Sequence, residues 1–257
     1  MGNFKKCNSL SGKEWLQNSF SIWRDISKTK EEKALKHPAN YPVALCEKIL
    51  RSFSVPNSCV LDPFNGVGST TVAAQLLDCE AVGIDLSEEF CKIANSRVGM
   101  DEKIKIINGD SFEVLKLFPD NYFDICVTSP PYWDILNMKR SVDQKSVVNY
   151  SNKQNDIGNI PGYNEFLHTL TRLFSSVYRV LKSESYCIVN VMDIRKKSCF
   201  YPLHSDLATA LQSIGFIYDD LIIWDRQNDY NNMKPLGYPY KFRINKVHEY
   251  LLIFYKE

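Results

Sequence analysis

Ser58–Asp85, SCVLDPFNGVGSTTVAAQLLDCEAVGID, is the stretch on which the fold turns. Residues 58–62 are an apolar run that halts on Asp62, and Gly66 and Gly68 follow at once. GSTTVAAQLLD then reads as a helix, and residues 80–85 as a second strand that again ends on an acid. Strand, glycine turn, helix and strand make a unit whose two strands must run parallel. Downstream the alternation continues. Ser87 caps a helix with two acids in its first turn, SEEFCKIANSRV. Strands follow at 104–110 and 123–128, a long helix at 164–182, a strand at 185–192 and a helix at 205–216 closed by Gly215. The strands 217–224 and 248–256 have no helix between them, which predicts an antiparallel pair. The expected fold is α/β: a seven-stranded, doubly wound, mostly parallel sheet with an antiparallel last strand. One domain is expected over 1–257, with a helix at 42–53 and a polar leader before the first strand.

Composition narrows the function classes without naming one. The chain has 257 residues, 44% hydrophobic and 24% charged, as in ordinary globular proteins. Thirty-one basic residues against 30 acidic ones give a net charge of +1, so overall charge makes no case for nucleic acid. No apolar run is long enough to span a bilayer, and no signal-peptide pattern follows Met1. The eight cysteines are never closer than 12 residues apart, so neither a zinc site nor a disulfide framework is indicated. No metal, no membrane and a reduced cytoplasmic setting are the expectations.

In a doubly wound sheet, ligands bind beyond the carboxyl ends of the strands, at the switch point. Those ends carry Asp62 with Pro63, Phe64, Asn65, Gly66, Gly68 and Ser69, then Asp85 with Leu86, then Asp110 with Ser111, then Thr128 with SPPYW. The glycine loop departs from the dinucleotide fingerprint, whose third glycine is replaced by Thr71. Asp85 stands 17 residues beyond Gly68, where an acid can accept ribose hydroxyls. A lone strand-end Asp is more often a helix cap; three on adjacent strands beside a glycine loop favour a nucleoside ligand.

VLDPFNGVGSTTVAAQLLDCEAVGIDLSEEFCKIANSRV (60–98) is similar to the S-adenosylmethionine-binding half of DNA methyltransferases that modify exocyclic amino groups. TSPPYW (128–133) resembles their catalytic motif, in the Ser-Pro-Pro-Tyr form that usually accompanies N4-cytosine methylation; adenine-directed members more often carry Asp or Asn at the Ser129 position. HPANYPVALCEKIL (37–50) resembles the block of the beta group that contacts the methionine end of the cofactor, which implicates His37 and Pro38. RVLK, GFIYDDLIIWDRQ and HEYLLIFYKE resemble later pieces of the same group. In that group the catalytic motif usually comes first. Here the glycine loop precedes it, which implies a circular permutation that moves the termini and leaves the sheet unchanged.

The resemblance implies S-adenosylmethionine as cofactor, double-stranded DNA as partner and a restriction–modification setting. Chemistry then explains Ser129–Tyr132. A cytosine amino group is a poor nucleophile because its lone pair is delocalised into the ring. Ser129 Oγ and the Pro130 carbonyl can accept its two hydrogens and aim the lone pair, while Pro130 and Pro131 offer no competing N–H. Tyr132 offers a face for a base flipped from the duplex, and Trp133 a wall of the pocket that also meets DNA. DNA affinity must come from local charge. Residues 226–248 hold Arg226, Lys234, Lys241, Arg243 and Lys246 against Asp229, interleaved with aromatics; residues 134–162 hold Lys139, Arg140, Lys145 and Lys153. For a short basic stretch a solvated loop is the ordinary reading, but both should flank the catalytic motif. Both are also short for a recognition module, which leaves room for a homodimer or a helper subunit. The alternatives are the same fold acting on adenine N6 or on RNA, or a cofactor- and nucleic-acid-binding subunit without turnover.

Overall fold

Apolar strands and amphipathic helices build one eight-stranded sheet and a separate two-stranded hairpin in the computed structural model, which describes residues 6–24, 26–35, 37, 40–134, 156–229 and 235–257. In chain order the elements are α1 (Gly12–Asn18), β1 (Ile22–Trp23), α2 (Lys30–Ala34), α3 (Val43–Phe53), β2 (Cys59–Asp62), α4 (Ser69–Leu76), β3 (Glu80–Asp85), α5 (Glu88–Val98) and β4 (Ile104–Asn108). There follow α6 (Ser111–Leu115), β5 (Phe123–Thr128), α7 (Tyr163–Val180), β6 (Leu181–Val191), β7 (Ile194–Lys196), β8 (Cys199–Tyr201), α8 (Leu203–Gln212), β9 (Ile217–Asp225) and β10 (His248–Lys256).

The sheet runs β1-β9-β10-β6-β5-β2-β3-β4. Every pairing is parallel except those of β10, which is antiparallel to both β6 and β9. The seven predicted strands are all present, joined at one edge by the two-residue β1. Successive strand residues alternate between two cores, as a period of two requires. Leu61, Cys126, Cys187 and Val189 join the core under α6, α7 and α8. Val60, Ile125, Val127 and Ile188 join the one under α3 and α4. Helix α7 fits its face because Phe166, Leu170, Leu173, Phe174, Val177 and Val180 recur at helical spacing, and all six are fully buried. At about 1.5–3 kcal/mol per buried apolar side chain, that stripe is a main attachment of the helix layer.

Three details differ from the sequence reading. Strand β6 begins at Leu181, not 185, because Leu181 pairs with Phe123 ahead of a register shift. Helix α8 runs Leu203–Gln212, earlier than 205–216, and Gly215 closes the following turn at φ +110°. The leader holds α1 and α2, each opened by a capping box: Ser11 with Glu14, and Thr29 with Glu32. The chain order reverses direction between β2 and β5, so the switch point lies between the ends of these two strands.

Candidate active site

From β2 the chain turns into α4 through Gly66 at φ +50° and Gly68 at φ +85°. A Cβ on Gly66 would lie 3.0 Å from His37 Nε2, and one on Gly68 2.9 Å from the Ala94 Cβ. These two positions therefore need glycine for conformation and for space. His37 packs against Phe90 with ring centroids 4.4 Å apart and the planes tilted by 60°, and burial beside Lys28 pushes its pKa down to about 3, so the ring is neutral.

The loop borders a cleft enclosing about 890 Å³, its mouth included. His37, Pro63, Phe64, Asn65, Gly66, Ser69, Asp85, Leu86, Asp110, Ser111, Ser129, Pro130 and Pro131 all line it. Ser111 Oγ donates to the Pro63 carbonyl (2.6 Å) and Asp110 caps α6 through the Phe112 N–H, which ties the β4 end to the glycine loop. Asp85 accepts from the N–H groups of Gly66 (2.7 Å) and Ser87 (2.8 Å). Burial outweighs those bonds and pushes its carboxyl up to about 6. Sequence reasoning missed Asp156, which lies at the cleft in the turn before Ile157. Three carboxylates and no Lys or Arg stand among the described lining residues, a charge balance suited to a cationic ligand.

Asp62, Gly68 and Thr128 stand behind this lining rather than on it. Asp62 is fully buried and accepts from Thr128 Oγ1 (2.6 Å), Tyr41 OH (3.0 Å) and the Phe64 N–H (3.0 Å). It clamps β2, β5 and the segment before α3 together, and with no exposed oxygen it corrects the expectation of direct cofactor contact. Thr128, its partner, is corrected for the same reason. Pro38 lies outside the described residues.

Beyond β5 the Ser129–Tyr132 turn meets β6 and β10. Ser129 Oγ donates to the Asn190 carbonyl (3.0 Å) and lies 3.2 Å from Tyr132 OH. Tyr132 OH donates to Glu249 Oε2 (2.8 Å), which also accepts from Asn190 Nδ2 (2.5 Å). Glu249 Oε1 pairs with Arg226, whose guanidinium lies over the Trp224 ring. Asn190 and Glu249 are both 4% exposed, and Asn190 Oδ1 is buried without a hydrogen-bond partner among the described residues. Asn190 and Glu249 were missed because each lies inside an apolar strand, where an isolated polar residue gives no functional signal.

A family model described as DNA methylase matches residues 4–96 and 123–257. The chain belongs to this DNA methylase family. A broader model, a methyltransferase domain, matches residues 61–143. The chain is 32% identical over 108 residues to the orphan methyltransferase M.BamHII of Bacillus amyloliquefaciens, over 38% of this chain and 41% of that one. It is 37% identical over 78 residues to the type II methyltransferase M2.LlaDCHI of Lactococcus lactis subsp. cremoris, over 30% and 29%. The chain thus spans less than half the length of either relative. A SAM-dependent O-methyltransferase from Thermotoga maritima shares the fold at 12% identity, with a TM-score of 0.50 over 89% of this chain and 70% of that one. S-adenosylmethionine is the cofactor that this family and fold carry. The cleft fits it: the acids suit its sulfonium and ammonium charges, and Asn65 Nδ2 is a buried donor without a partner among the described residues.

Two residues expected to meet DNA face inward. Trp133 is 3% exposed, donates to the Ile160 carbonyl (2.8 Å) and packs on Tyr163 and Tyr201, so it is core. Arg226, its side chain 16% exposed, is taken up by Glu249 and Asp229. Lys241 is exposed and Arg243 half-buried, as an outer face needs. Lys139, Arg140, Lys145, Lys153 and Lys234 lie outside the described residues.

The raised Asp85 carboxyl gives a pH prediction of opposite sign for folding and for binding. Its folded pKa, about 6, exceeds the usual 3.8, so its contribution to stability is full below pH ~4 and lost as pH rises through about 6. A carboxylate that accepts ribose hydroxyls does the reverse: cofactor affinity should fall as pH drops below about 6. Asp85→Ala should cost tenfold or more, since a charge-assisted hydrogen bond contributes about 1.5–3 kcal/mol. Calorimetry showing affinity constant from acid to neutral pH, or unchanged in a folded Asp85→Ala variant, would remove Asp85 from the binding site.

Proposed function

We propose that the chain transfers a methyl group from S-adenosylmethionine to the exocyclic N4 of cytosine in double-stranded DNA, as the modification part of a restriction–modification system. The observation that carries this reading is the shared cleft. Asp85 and Asp110 line it together with Ser129, Pro130 and Pro131, so a cofactor held by the acids would present its reactive end near the Ser-Pro-Pro turn. Asp85 would take the ribose hydroxyls, Asp110 and Ser111 the adenine, and His37 with the glycine loop the methionine end. The order of glycine loop and catalytic motif is that of a circularly permuted beta-group chain.

The cofactor supplies an electrophilic methyl on a sulfonium; the rest is orientation. Ser129 gives its hydroxyl hydrogen to the Asn190 carbonyl, which leaves oxygen lone pairs for one hydrogen of the target amino group. The Pro130 carbonyl takes the other. Both acceptors are fixed before the base arrives, so little reorganisation remains for the reaction itself. Tyr132 supplies a stacking face worth about 1–3 kcal/mol, which offsets much of the cost of flipping a base. After transfer the cationic nitrogen loses its extra proton to solvent water, while Ser129 Oγ keeps its hydrogen on the Asn190 carbonyl and serves only as a hydrogen-bond acceptor.

The test is incubation of host DNA with methyl-labelled cofactor, then nuclease digestion and nucleoside analysis. N4-methylcytosine is the expected product. N6-methyladenine as sole product would overturn the choice of base and leave the mechanism standing; no transfer to any DNA would overturn the enzyme reading.

A further inference from the structure

The segment IRKKSCFY (194–201) was not among the expected elements, yet it carries three consecutive basic residues. It forms the β7–β8 hairpin, with Arg195 opposite Phe200 and Lys196 opposite Cys199. Alternation puts Arg195 and Lys196 of β7 on opposite faces. Lys196 turns toward the catalytic turn: its Nζ pairs with Asp134 (2.6 Å) and sits 3.9 Å over the Trp133 ring, while Tyr201 packs on Trp133 at 5.0 Å. Both strands of the hairpin are therefore fastened to the residues directly after Ser129–Tyr132. Arg195 on the opposite face and Lys197 in the turn at φ +56° are both exposed, with no acidic partner among the described residues.

The outward face is continuous with the loop that precedes β10. The Arg195 guanidinium lies 5.3 Å from the Phe200 ring centre, and Lys246 Nζ lies 5.0 Å from the same ring. Two cations gathered on one half-exposed ring repel each other, a cost that an anion between them would remove. The loop adds Lys241 and Arg243, and it leaves Tyr238, Tyr240 and Phe242 at 78%, 95% and 92% exposed. Cations interleaved with bare aromatic faces suit a nucleotide chain, which offers phosphates and bases together.

We propose that the β7–β8 hairpin binds the DNA backbone through Arg195 and Lys197, with Lys246 across Phe200, and sets the register of the duplex on the catalytic turn. The assignment rests on the DNA methyltransferase reading. It gives the Lys196 clamp a purpose: a phosphate held on the outer face is held at a fixed distance from Ser129.

The test is fluorescence anisotropy with a labelled random-sequence duplex, read across a salt series, for the full chain and for Arg195→Ala/Lys197→Ala. Each phosphate contact contributes about 0.9 to the slope of log affinity against log salt, so the slope should shrink by about 1–2 and low-salt affinity fall roughly tenfold. Arg195→Lys/Lys197→Arg should restore both, and cofactor affinity should stay constant in every variant because neither residue lines the cleft. An unchanged slope in a double variant that still binds cofactor overturns the assignment alone. Loss of poly-L-glutamate binding with the DNA slope intact also overturns it, in favour of an acidic protein partner. Wild-type protein that neither binds the duplex nor methylates DNA overturns both the assignment and the reading beneath it.

Discussion

Ser129→Ala should lower the rate of methyl transfer about a hundredfold or more while cofactor affinity changes little. The size follows from the kind of interaction removed. A preorganised group that acts on charge developing in the transition state is worth about 2.7–4 kcal/mol in comparable sites. The selectivity follows from geometry: Ser129 meets the Asn190 carbonyl and Tyr132 OH, with no bond to the glycine loop or to Asp85. An interaction realised only in the transition state lowers kcat and kcat/KM together and leaves ground-state binding alone. Single-turnover transfer with labelled cofactor, alongside calorimetry, separates the two. Full activity in Ser129→Ala would leave the Pro130 carbonyl as the sole defensible acceptor.

The layout of the sheet was legible because its signals are local. A run of apolar residues that stops on an acid, a pair of glycines and a helical stripe each lie within one element, and β2 to β5 follow them closely. What escaped the sequence depends on partners far along the chain. Asp62 at a strand end looks the same whether it faces a ligand or a tyrosine; Tyr41, 21 residues earlier, decides for the tyrosine. Arg226 counts as a free cation until Glu249, 23 residues later on the neighbouring strand, takes it up. The β7–β8 hairpin was missed because three-residue strands are too short to show alternation. The short leader helices did leave a signal: Ser11 and Thr29 each stand three residues before a Glu, the spacing of a capping box. Tyr132 is the instructive case. The sequence assigns it only a ring face for the flipped base, yet the hydroxyl joins Ser129, Asn190 and Glu249. Tyr132→Phe should therefore lose more rate than a pure stacking role allows, and Tyr132→Ala should lose the ring face as well.

Glu249 is where that network ends, and Glu249→Ala should be among the most damaging substitutions in the chain. It would take from Arg226, whose side chain is 16% exposed, one of its two carboxylates and leave Asp229, so the loss should approach that of a buried pair broken from one side, about 3–5 kcal/mol. Chemical denaturation would read that loss directly. Stability alone, however, does not show why a carboxylate is placed beside Tyr132. Replacing both partners, Glu249→Leu with Arg226→Met, removes the half-compensated charge and should recover most of the lost stability, because apolar groups of similar volume often substitute for a buried pair at little cost. The transfer rate should not recover with it. Tyr132 OH would still lack its acceptor, its 3.2 Å approach to Ser129 Oγ would no longer be held, and the acceptor aimed at the target amino group would wander. The expected signature is a stable double variant with near-normal cofactor affinity and a kcat reduced tenfold or more, by the loss of about 1.4 kcal/mol or more of transition-state stabilisation. A stable double variant with full kcat would show instead that Glu249 serves only to neutralise Arg226, and that Ser129 and Tyr132 are held by the two prolines between them.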